Sequence, residues 1–356
     1  MKRFLFSLPF CALFFLGCPN NKPCITCPTP IDTTSHAFTW QTFTWGGGGA
    51  SSINDVAIIS NTNILAAGEI LIIELDSLGQ RDYRPYGLIH WNGTDWKLLR
   101  IFDDLNLSIT PIRGVFISSA NDFWFAAGSI YHWNGISSHA ELSLSRFDIP
   151  NSNVLITKIW GTSSSNLYGV GTGGIIVHYN GSSWQKLESG TTFNFQDIYG
   201  AKNSNTGEWE ILALAAQHDT LPIQTQLLQI QGTTVIKVET FPTLYFSVWF
   251  VPGRKYFLSG DGILFKNRLS DTSWIAKPLG TITNNTSGCI RGNNLNDFFV
   301  SQLYLDIIHY NGSTWYDYVN EMSGGYGSYQ RTALRGNTMV AGGWINQDAI
   351  LLLGKR

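Results

Sequence analysis

The sequence predicts an all-β protein built from repeated sheet units. The clearest unit runs from Ile159 to Gly190, where short apolar and aromatic runs alternate with clusters of Ser, Asn and Gly. This alternation is typical of strands joined by tight turns. Four runs fit within the unit and leave no room for a helix, so each unit is expected to form a four-stranded antiparallel sheet. The composition agrees, because 36 glycines and only 13% charged residues suit a chain with many turns.

The unit recurs along most of the chain. Its third strand carries a His–aromatic pair followed by Asn-Gly, a step that favours a type I′ hairpin with φ > 0 at both central residues. The copies lie at 89–93, 131–135, 177–181 and 308–312, with weaker ones at 228–232 and 264–274. Their spacing of roughly 40 to 50 residues is that of propeller blades. The prediction is a seven-bladed β-propeller of four-stranded antiparallel blades, whose units begin near Ile53, Ile112, Lys158, Gln196, Phe246, Gly288 and Arg331.

The last unit, Arg331 to Leu353, has only three predicted strands. Its missing outer strand occurs at the other end of the chain, where Trp40 to Phe43 parallels Trp184 to Leu187 of the clearest unit. The N-terminal strand is therefore expected to complete the C-terminal blade, so that residues 38–356 form a closed ring without a free sheet edge. With strands named a to d, the a–b and c–d turns share one rim, and the b–c and d–a loops share the other.

The first residues predict export and a lipid anchor. Residues 1–17 have a basic start and an apolar run that is too short to span a membrane, which is typical of a signal peptide. The stretch Phe15 to Cys18 resembles the bacterial lipobox. The resemblance implies that Cys18 carries lipid, which makes the membrane a partner through this anchor and gives a cell-envelope location. The alternative is an ordinary secretory signal that is cut nearby.

Residues 18–37 are rich in Pro, Asn and Thr and are expected to form a flexible tether. Pro19 stands where an inner-membrane retention signal would place Asp, and by resemblance to enteric lipoproteins this favours the outer membrane. Cys24 and Cys27 have the spacing of a redox or metal motif, but nothing nearby completes a zinc set. A small disulfide or two spare thiols is the first expectation, with a redox motif or a metal site as alternatives. Cys289 is expected to be a buried thiol.

Charge and motifs restrict the function. A net charge of −2 gives no basic face for neutralising phosphates, so nucleic acid is not an expected partner. The sequence contains no G-x-S-x-G elbow, no phosphate loop and no H-E-x-x-H motif. No cofactor, metal ligand or catalytic residue is therefore predicted, and an enzyme is the less favoured class.

The sequence varies most in the b–c and d–a loops. Long segments occur at 76–86, 217–226 and 320–329, whereas the c–d turns are short and uniform. Loops carry function more often than the scaffold does, so this rim is the predicted binding face. The alternative for any single residue is neutral surface variation. The candidate binding residues are Arg81, Asp82, Tyr83, Arg84, Tyr86, His218, Asp219, Glu321, Tyr326 and Tyr329.

Other polar and aromatic residues repeat with the blades and are expected to be structural. Equivalent positions in separate blades stand too far apart to share a metal ion, which applies to His90, His132, His178 and His309. Outer-strand tryptophans are expected to fill the space between blades, namely Trp96, Trp184, Trp274 and Trp315. Asp122 and Asp297 follow Asn in turns and are expected to cap the local backbone.

The pattern L-Y-x-V-G-x-x-G-x-I-x-H-Y-N-G-x-x-W resembles the repeats of a loose group of bacterial secreted and lipoprotein β-propellers. The resemblance covers most of residues 38–356 and implies a fold, not an activity. Gly312 to Trp315 is similar to the tail of the Asp-box, but Ile308 and Tyr310 stand where that box begins with Ser and Asp. Kelch repeats are a poorer match, and the WD40 signatures do not recur.

Three functions remain open at this point. The favoured one is a lipid-anchored binding module that recognises a protein or glycan on the loop-rich rim. The second is a carbohydrate-active enzyme, a glycoside hydrolase or lyase at the mouth of the central channel. It would need two converging carboxylates, and Glu321 with Asp82 or Asp219 is the pair to test. The third is a structural or assembly subunit of an envelope complex, which would expose an apolar patch.

Overall fold

The computed structural model describes residues 33–47, 49–75, 78–150, 153–277, 287–321 and 325–356. These residues form seven four-stranded antiparallel sheets and one short two-stranded ribbon. The predicted seven-bladed propeller is therefore confirmed. The signal peptide and the three cysteines at 18, 24 and 27 lie outside the described residues. Within the described ranges, no helix has the length and apolar character of a membrane span.

The strands are numbered in chain order. The first ten are β1 (Thr39–Trp45), β2 (Ser52–Ser60), β3 (Asn63–Ile70), β4 (Glu74–Leu75), β5 (Arg81–Asp82), β6 (Tyr86–Trp91), β7 (Trp96–Leu99), β8 (Gly114–Ser119), β9 (Asp122–Ala127) and β10 (Ser129–Trp133). The next ten are β11 (Glu141–Leu144), β12 (Ile156–Ser163), β13 (Asn166–Gly171), β14 (Ile176–Tyr179), β15 (Trp184–Leu187), β16 (Asn194–Lys202), β17 (Trp209–Gln217), β18 (Gln224–Gln231), β19 (Thr234–Phe241) and β20 (Tyr245–Val251). The last ten are β21 (Lys255–Gly260), β22 (Gly262–Lys266), β23 (Ile275–Lys277), β24 (Ser287–Asn294), β25 (Asp297–Gln302), β26 (Ile307–Tyr310), β27 (Trp315–Asp317), β28 (Gly327–Arg335), β29 (Thr338–Ile345) and β30 (Asp348–Lys355).

Each blade takes four consecutive strands except the first and the last. Blade 1 is β2-β3-β6-β7, with the ribbon β4-β5 in its b–c loop, and blade 7 is β28-β29-β30-β1. Strand β1 pairs with β30 from Thr39 opposite Lys355 to Trp45 opposite Ala349. The inner strands of neighbouring blades contact one another around the whole ring, including β28 with β2. The N-terminal strand thus completes the C-terminal blade, as the sequence predicts.

The apolar core lies between the blades. Seven clusters of buried side chains are present among the described residues, one at each interface between neighbouring blades. Between blades 3 and 4, for example, Val170 and Ile176 pack against Ile198 and Ala213. Each fully buried Ile or Leu contributes roughly 1.5 to 3 kcal/mol of transfer free energy, so the interfaces stabilise the ring jointly. Half-buried outer tryptophans join these clusters as predicted, and Trp184 also donates to Ser143 Oγ of blade 2.

The c–d hairpins stand where Asn-Gly predicts them, but their turn type differs. Gly93 has φ +104° and Gly181 has φ +94°, whereas the preceding asparagines are absent from the positive-φ residues of the described chain. Instead, the Asn92 side-chain oxygen accepts from the backbone N–H groups of Thr94 and Asp95. The type I′ prediction is therefore wrong. Asparagine is used here for its side-chain acceptor, which closes a longer loop as an Asx turn.

The repeated histidines make the same structural hydrogen bond in each of their blades. In four blades the His of strand c bonds through Nε2 to the Asn or Asp that begins strand b. The distances are 2.8 Å for His90 with Asn63 and 3.0 Å for His309 with Asp297. Asp122 and Asp297 therefore accept from side chains and not from the local backbone, so the predicted backbone capping is wrong. No group of residues with metal-binding geometry occurs in the described ranges.

The two rims are built differently. On one rim, the c–d glycines lie over the a–b turns, with Gly93 beside Thr62 and Gly181 beside Ser165. On the other, the b–c and d–a loops bond to each other, as Ser51 N–H does to the Gln347 carbonyl. This second, loop-rich rim surrounds one end of the central channel.

Candidate functional site

The blade 1 loop brings five of the predicted rim residues together, but much of their charge is already neutralised. Arg84 Nη2 lies 2.9 Å from Asp82 Oδ2, and these hydrogen bonds hold the pKa of Asp82 well below its usual range. Arg100 lies 3.2 Å from Glu74 and covers the Tyr86 ring at 3.9 Å. Exposed ion pairs of this kind contribute little stability. Arg81 and Tyr83 of the same loop are exposed and take no part in these ion pairs, so they are the residues that a partner could contact.

Two further predicted residues pair with each other, and a third has a local partner. His218 Nδ1 lies 2.7 Å from the exposed Asp219 in the b–c loop of blade 4. Glu321 accepts a 2.8 Å hydrogen bond from Tyr316, just after blade 6. His218 and Asp219 therefore lie on blade 4 and Glu321 follows blade 6. Each of the three has a partner nearby in the sequence, and they do not form a common site.

The two remaining tyrosines have opposite exposure. Tyr326 is 70% exposed and packs edge-to-face on Trp344 at 5.3 Å between ring centroids. Tyr329 is only 2% exposed and belongs to the core between blades 6 and 7, where burial raises the pKa of its hydroxyl. Tyr329 forms part of a cavity wall and offers almost no surface to a partner.

The carboxylates proposed for an enzyme do not meet around a cavity. Asp82 and Glu321 each pair with a residue of their own loop, and neither lines the channel cavities. A carboxyl pair that the sequence did not reveal lies in blade 6, where burial and the charge of Asp317 raise the pKa of Asp306 to about 7. Asp306 is fully buried. A glycosidase needs both carboxyl groups open to its substrate, and a fully buried Asp306 is not.

The central channel contains the more distinctive site. Its mouth on the loop-rich rim is a cavity of about 490 Å³, within the range of small-ligand pockets. Six inner strands change register near their first residues, as between Ile53 and Asp55 and between Ile156 and Lys158. Such bulges redirect a side chain locally. The lining of the mouth includes a residue from near the start of each blade, namely Asn54, Arg113, Thr157, Gln196, Phe246, Gly288 and Gln330.

A second layer lies directly below the mouth. It consists of the next residue in each blade: Asp55, Gly114, Lys158, Asp197, Ser247, Cys289 and Arg331. Gly114 is required here because a side chain at this position would meet the Lys158 backbone at 2.9 Å. Lys158 Nζ donates to the carbonyls of Arg113 at 2.6 Å and Asn54 at 3.1 Å, with Asp55 at 3.5 Å. Burial, and then the charge of Arg331, lower the pKa of Lys158 to about 8.

The lower part of the channel is a smaller cavity of about 290 Å³ whose charges are more balanced. Arg291 makes a bidentate ion pair with Asp197 at 2.8 and 3.0 Å, and it also donates to Ser247. Cys289, as predicted, is a fully buried free thiol. Lys158 and Arg331 line both cavities and form the boundary between them.

The mouth has an excess of positive charge. Arg113, Lys158 and Arg331 line it, and no carboxylate is found among its described lining residues. Sequence reasoning missed this site because its residues differ in type and are separated by whole blades. One signal was available in the sequence. When the repeat units are aligned, their first residues coincide with the cavity-lining residues or lie next to them.

Exposed apolar side chains are frequent on the same rim. Tyr83 is 54% exposed and Leu221 is 86% exposed, in the b–c loops of blades 1 and 4. Further exposed apolar residues of the b–c loops and blade-to-blade links are Ile73, Leu75, Leu78, Phe147, Ile223, Leu303, Tyr304, Val319 and Tyr326. A cationic cavity thus opens on a rim that is rich in exposed apolar groups, which is a feature of interaction surfaces.

The sequence matches no protein-family model. No curated protein matches it in sequence either. Among solved structures, "YCF48 bound to D1 peptide" is similar with a TM-score of 0.64 and 14% identity, covering 92% of this chain and 99% of the other. The WD40 β-propeller domain of Doa1 has a TM-score of 0.62 and 11% identity over 90% of this chain and 98% of its own. YCF48 from Cyanidioschyzon merolae has a TM-score of 0.60 and 11% identity, over 88% of this chain and 98% of its own.

The fold comparisons define the architecture and no more. In all, 677 solved chains match, and the identities above are too low to transfer a function. The chain is a WD40-like seven-bladed β-propeller in its shape, although the WD40 sequence signatures do not recur.

Proposed function

We propose that this protein is a lipid-anchored binding module of the cell envelope that recognises a protein partner on its loop-rich rim. The observation that carries the proposal is the cationic mouth of the channel, which opens among exposed apolar residues on that rim. Scattered apolar residues alone would be ordinary surface. Their occurrence around a charged concave site is what a protein interface requires.

The shape of the chain is compatible with this role. The structure described as "YCF48 bound to D1 peptide" is a propeller of similar size that carries a peptide. An assembly subunit, the third function considered from the sequence, would bind its partner on the same rim. It differs from a binding module only in that its contact with the partner would be permanent. No reaction is proposed, because the predicted carboxylates each have local partners.

The envelope location rests on the sequence alone. The lipobox-like stretch that ends at Cys18 precedes the described residues. Lipid on Cys18 would place the propeller next to a membrane, in the outer membrane if Pro19 acts as it does in enteric lipoproteins. The substitution Cys18→Ala is expected to release the protein into the soluble fraction after membrane separation. Continued sedimentation of that variant with membranes would refute the anchor.

The rim is tested by substitutions on opposite sides of the ring. The triple variant Tyr83→Ser/Leu221→Ser/Tyr326→Ser removes exposed apolar groups from three places on the loop-rich rim. Ile136→Ser is the matched control, because Ile136 is 82% exposed and lies in a c–d turn on the other rim. Each protein is chemically crosslinked in intact cells and recovered by a C-terminal tag.

The expected result is a crosslinked partner that wild type and Ile136→Ser both retain and the triple variant loses. Circular dichroism checks that all proteins are folded. A partner that the triple variant keeps in full would contradict the assignment of the binding face.

A glycan ligand has one specific observation in its favour. A groove of about 800 Å³ lies between the outer edges of blades 7 and 1, lined by Phe43, Trp45, Trp91 and Trp96 together with Thr94 and Asp95. Aromatic faces beside polar groups suit sugar rings. Binding of wild type but not Trp45→Ala on an array of envelope glycans would support this second function. Equal signals from both proteins would exclude the groove as the glycan site.

A further inference from the structure

The channel mouth brings three cations together in a chain that has almost no net charge. The full sequence carries a net charge of −2, yet the described residues of the mouth include Arg113, Lys158 and Arg331 and no acidic residue. Below it, the Asp197 carboxylate is engaged by Arg291. Asp55 lies 3.5 Å from Lys158 and offsets part of its charge. Among the described residues, neither acid forms an ion pair with Arg113 or Arg331, so the positive charge of these two arginines is not cancelled.

The contacts of these cations are mainly with neutral carbonyl groups. Arg331 donates to the carbonyls of Gln196 and Gln330, and its buried Nε has no hydrogen-bond partner. Lys158 is 8% exposed and donates to two carbonyls. The guanidinium of Arg113 has no hydrogen bond or ion pair with any described residue. Lys158 also has Asp55 at 3.5 Å, whereas the half-buried Arg113 and Arg331 form no ion pair with a described residue. A partly desolvated cation without a carboxylate is costly unless a ligand supplies the negative charge.

The surroundings of the mouth select the kind of anion. A small inorganic anion would use the cations and leave the exposed apolar rim without a role. An extended peptide can place a carboxylate in the cavity while its neighbouring apolar side chains contact Tyr83, Leu221 or Tyr326. Paired contacts of this kind, a charged anchor and apolar flanks, give both orientation and affinity.

We propose that the mouth of the channel binds the carboxylate of an acidic, partly apolar peptide segment through Arg113, Lys158 and Arg331. The proposal rests on the proposed function, because it names the chemistry of the protein partner at the same rim. The carboxylate has two sources in a peptide: an Asp or Glu side chain, or a free C-terminus. Both would make charge-assisted hydrogen bonds with the guanidinium groups.

The test uses a random dodecapeptide library displayed on phage. It is selected in parallel against the purified protein, against the double variant Arg113→Gln/Arg331→Gln, and against Arg335→Gln. Arg335 is an exposed arginine on the opposite rim and serves as the matched control. Recovered sequences are synthesised with free and amidated C-termini, and with Glu and Asp replaced by Gln and Asn. Their affinities are then measured by fluorescence anisotropy.

The expected result is enrichment of acidic peptides on wild type and on Arg335→Gln but not on the double variant. The double variant should bind the best peptide roughly tenfold to hundredfold more weakly, the range for losing charge-assisted contacts. Loss on Gln and Asn replacement assigns a side-chain carboxylate, and loss on amidation assigns a terminal one. Melting temperatures confirm that the variants are folded.

Three outcomes would overturn the proposal: no selected peptide, peptides without acidic enrichment, or equal binding by the double variant. The proposed function would survive these outcomes if the rim triple variant still lost its crosslinked partner in cells. If the triple variant kept that partner, the proposed function would fail, whatever the peptide selection showed. An acidic oligosaccharide that bound where no peptide did would replace the peptide as the occupant.

Discussion

Two groups of buried charges in this molecule have opposite surroundings. In blade 6, Asp297 is 3% exposed and accepts hydrogen bonds from His309, Arg356 and Asn293. In the channel, Lys158 and Arg331 face a cavity and donate mostly to carbonyls. Burial alone therefore does not separate the structural charges of blade 6 from the proposed binding charges of the channel. The difference lies in how far the fold supplies the opposite charge: Lys158 has only Asp55 at 3.5 Å, and Arg331 forms no ion pair with a described residue.

The blade 6 group has a clear structural task. Residues 33–37, the end of the predicted tether, lie against this blade, where Thr34 N–H donates to the Asn311 carbonyl. His36 Nδ1 meets His309 Nδ1 at 2.8 Å, and Arg356 donates to the Ser35 carbonyl. The same group therefore ties to blade 6 both the segment before the closing strand β1 and the residue that follows its partner strand β30. Its charges are paired because they stabilise ring closure.

The largest expected effect comes from unpairing Asp297. Asp297→Asn leaves Arg356 without a carboxylate at a site that is mostly closed to water. Removing one partner of a buried ion pair costs about 3 to 5 kcal/mol, which is a large share of the stability of a domain. Urea unfolding at pH 7 measures the loss in the free energy of unfolding.

The repeat offers a matched control for that substitution. Asp122 occupies the same place in blade 2 and pairs only with His132 and Trp124, and blades 1 and 3 have Asn there. Asp122→Asn is expected to cost about 1 kcal/mol or less. Equal losses in the two variants would show that the Asp297 charge network has no special role.

The Asp306–Asp317 pair is a third arrangement, in which a fully buried acid lies beside a half-buried one. The pKa of Asp306 is raised to about 7, so the folded protein binds a proton between pH 3.8 and 7 that the unfolded chain releases. Stability should therefore fall as pH rises through this window and stay low above it. Asp306→Asn should add roughly 4 kcal/mol at pH 8 and little at pH 4. Urea unfolding that shows the same pH slope in both proteins would contradict the assignment.

The channel lysine should show the opposite pH dependence. The pKa of Lys158 is lowered from 10.5 to about 8 by burial and by Arg331, while Asp55 and Asp197 act against that shift. Between pH 8 and 10.5 the unfolded chain keeps a proton that the folded chain has lost, so stability rises with pH. Relative to Lys158→Met, the free energy of unfolding of wild type should rise by roughly 3 kcal/mol across this range. If the free energies of unfolding of the two proteins changed by the same amount between pH 8 and 10.5, the charge of Lys158 would already be compensated in the folded protein.

The smallest effect is expected at the histidine of the N-terminal segment. Burial, then the neighbouring His309 and Arg356, lower the pKa of His36 to about 4. The unfolded chain takes up a proton near pH 6.5, before the folded one does, so stability is lost as pH falls from 6.5 to 4. Because the ring is only half-buried and solvent screens its charge, the loss is about 1 kcal/mol or less. His36→Gln should remove this loss in urea unfolding, and a variant that kept it would place the titration elsewhere.

The ring and its closure were predictable because their signals are local or repeated. Trp40 to Phe43 has the same pattern as other outer strands, and alternation alone fixes its face. The type I′ turns were not predicted correctly, because Asn92 and its equivalents use a side-chain oxygen that the sequence pattern cannot distinguish from a left-handed backbone.

The candidate site was harder to predict. Arg113, Lys158 and Arg331 carry no common motif and come from three blades. Register shifts near the start of the inner strands turn neighbouring residues into the channel. Of the predicted rim residues, Tyr83 and Tyr326 are exposed, whereas Tyr329 is buried because its position in β28 faces blade 6. Loop length therefore indicated the rim, but not the cavity at its centre.

The central claim is that the mouth of the channel takes up an external carboxylate beside Lys158. The most direct measurement is the pKa of this lysine by NMR of ¹³C-labelled lysine side chains, in the free protein and with the tightest peptide from the selection. We expect a value of about 8 in the free protein and a rise of roughly one unit or more on binding, because a bound carboxylate favours the charged amine. A bound peptide that leaves this pKa unchanged would contradict the account.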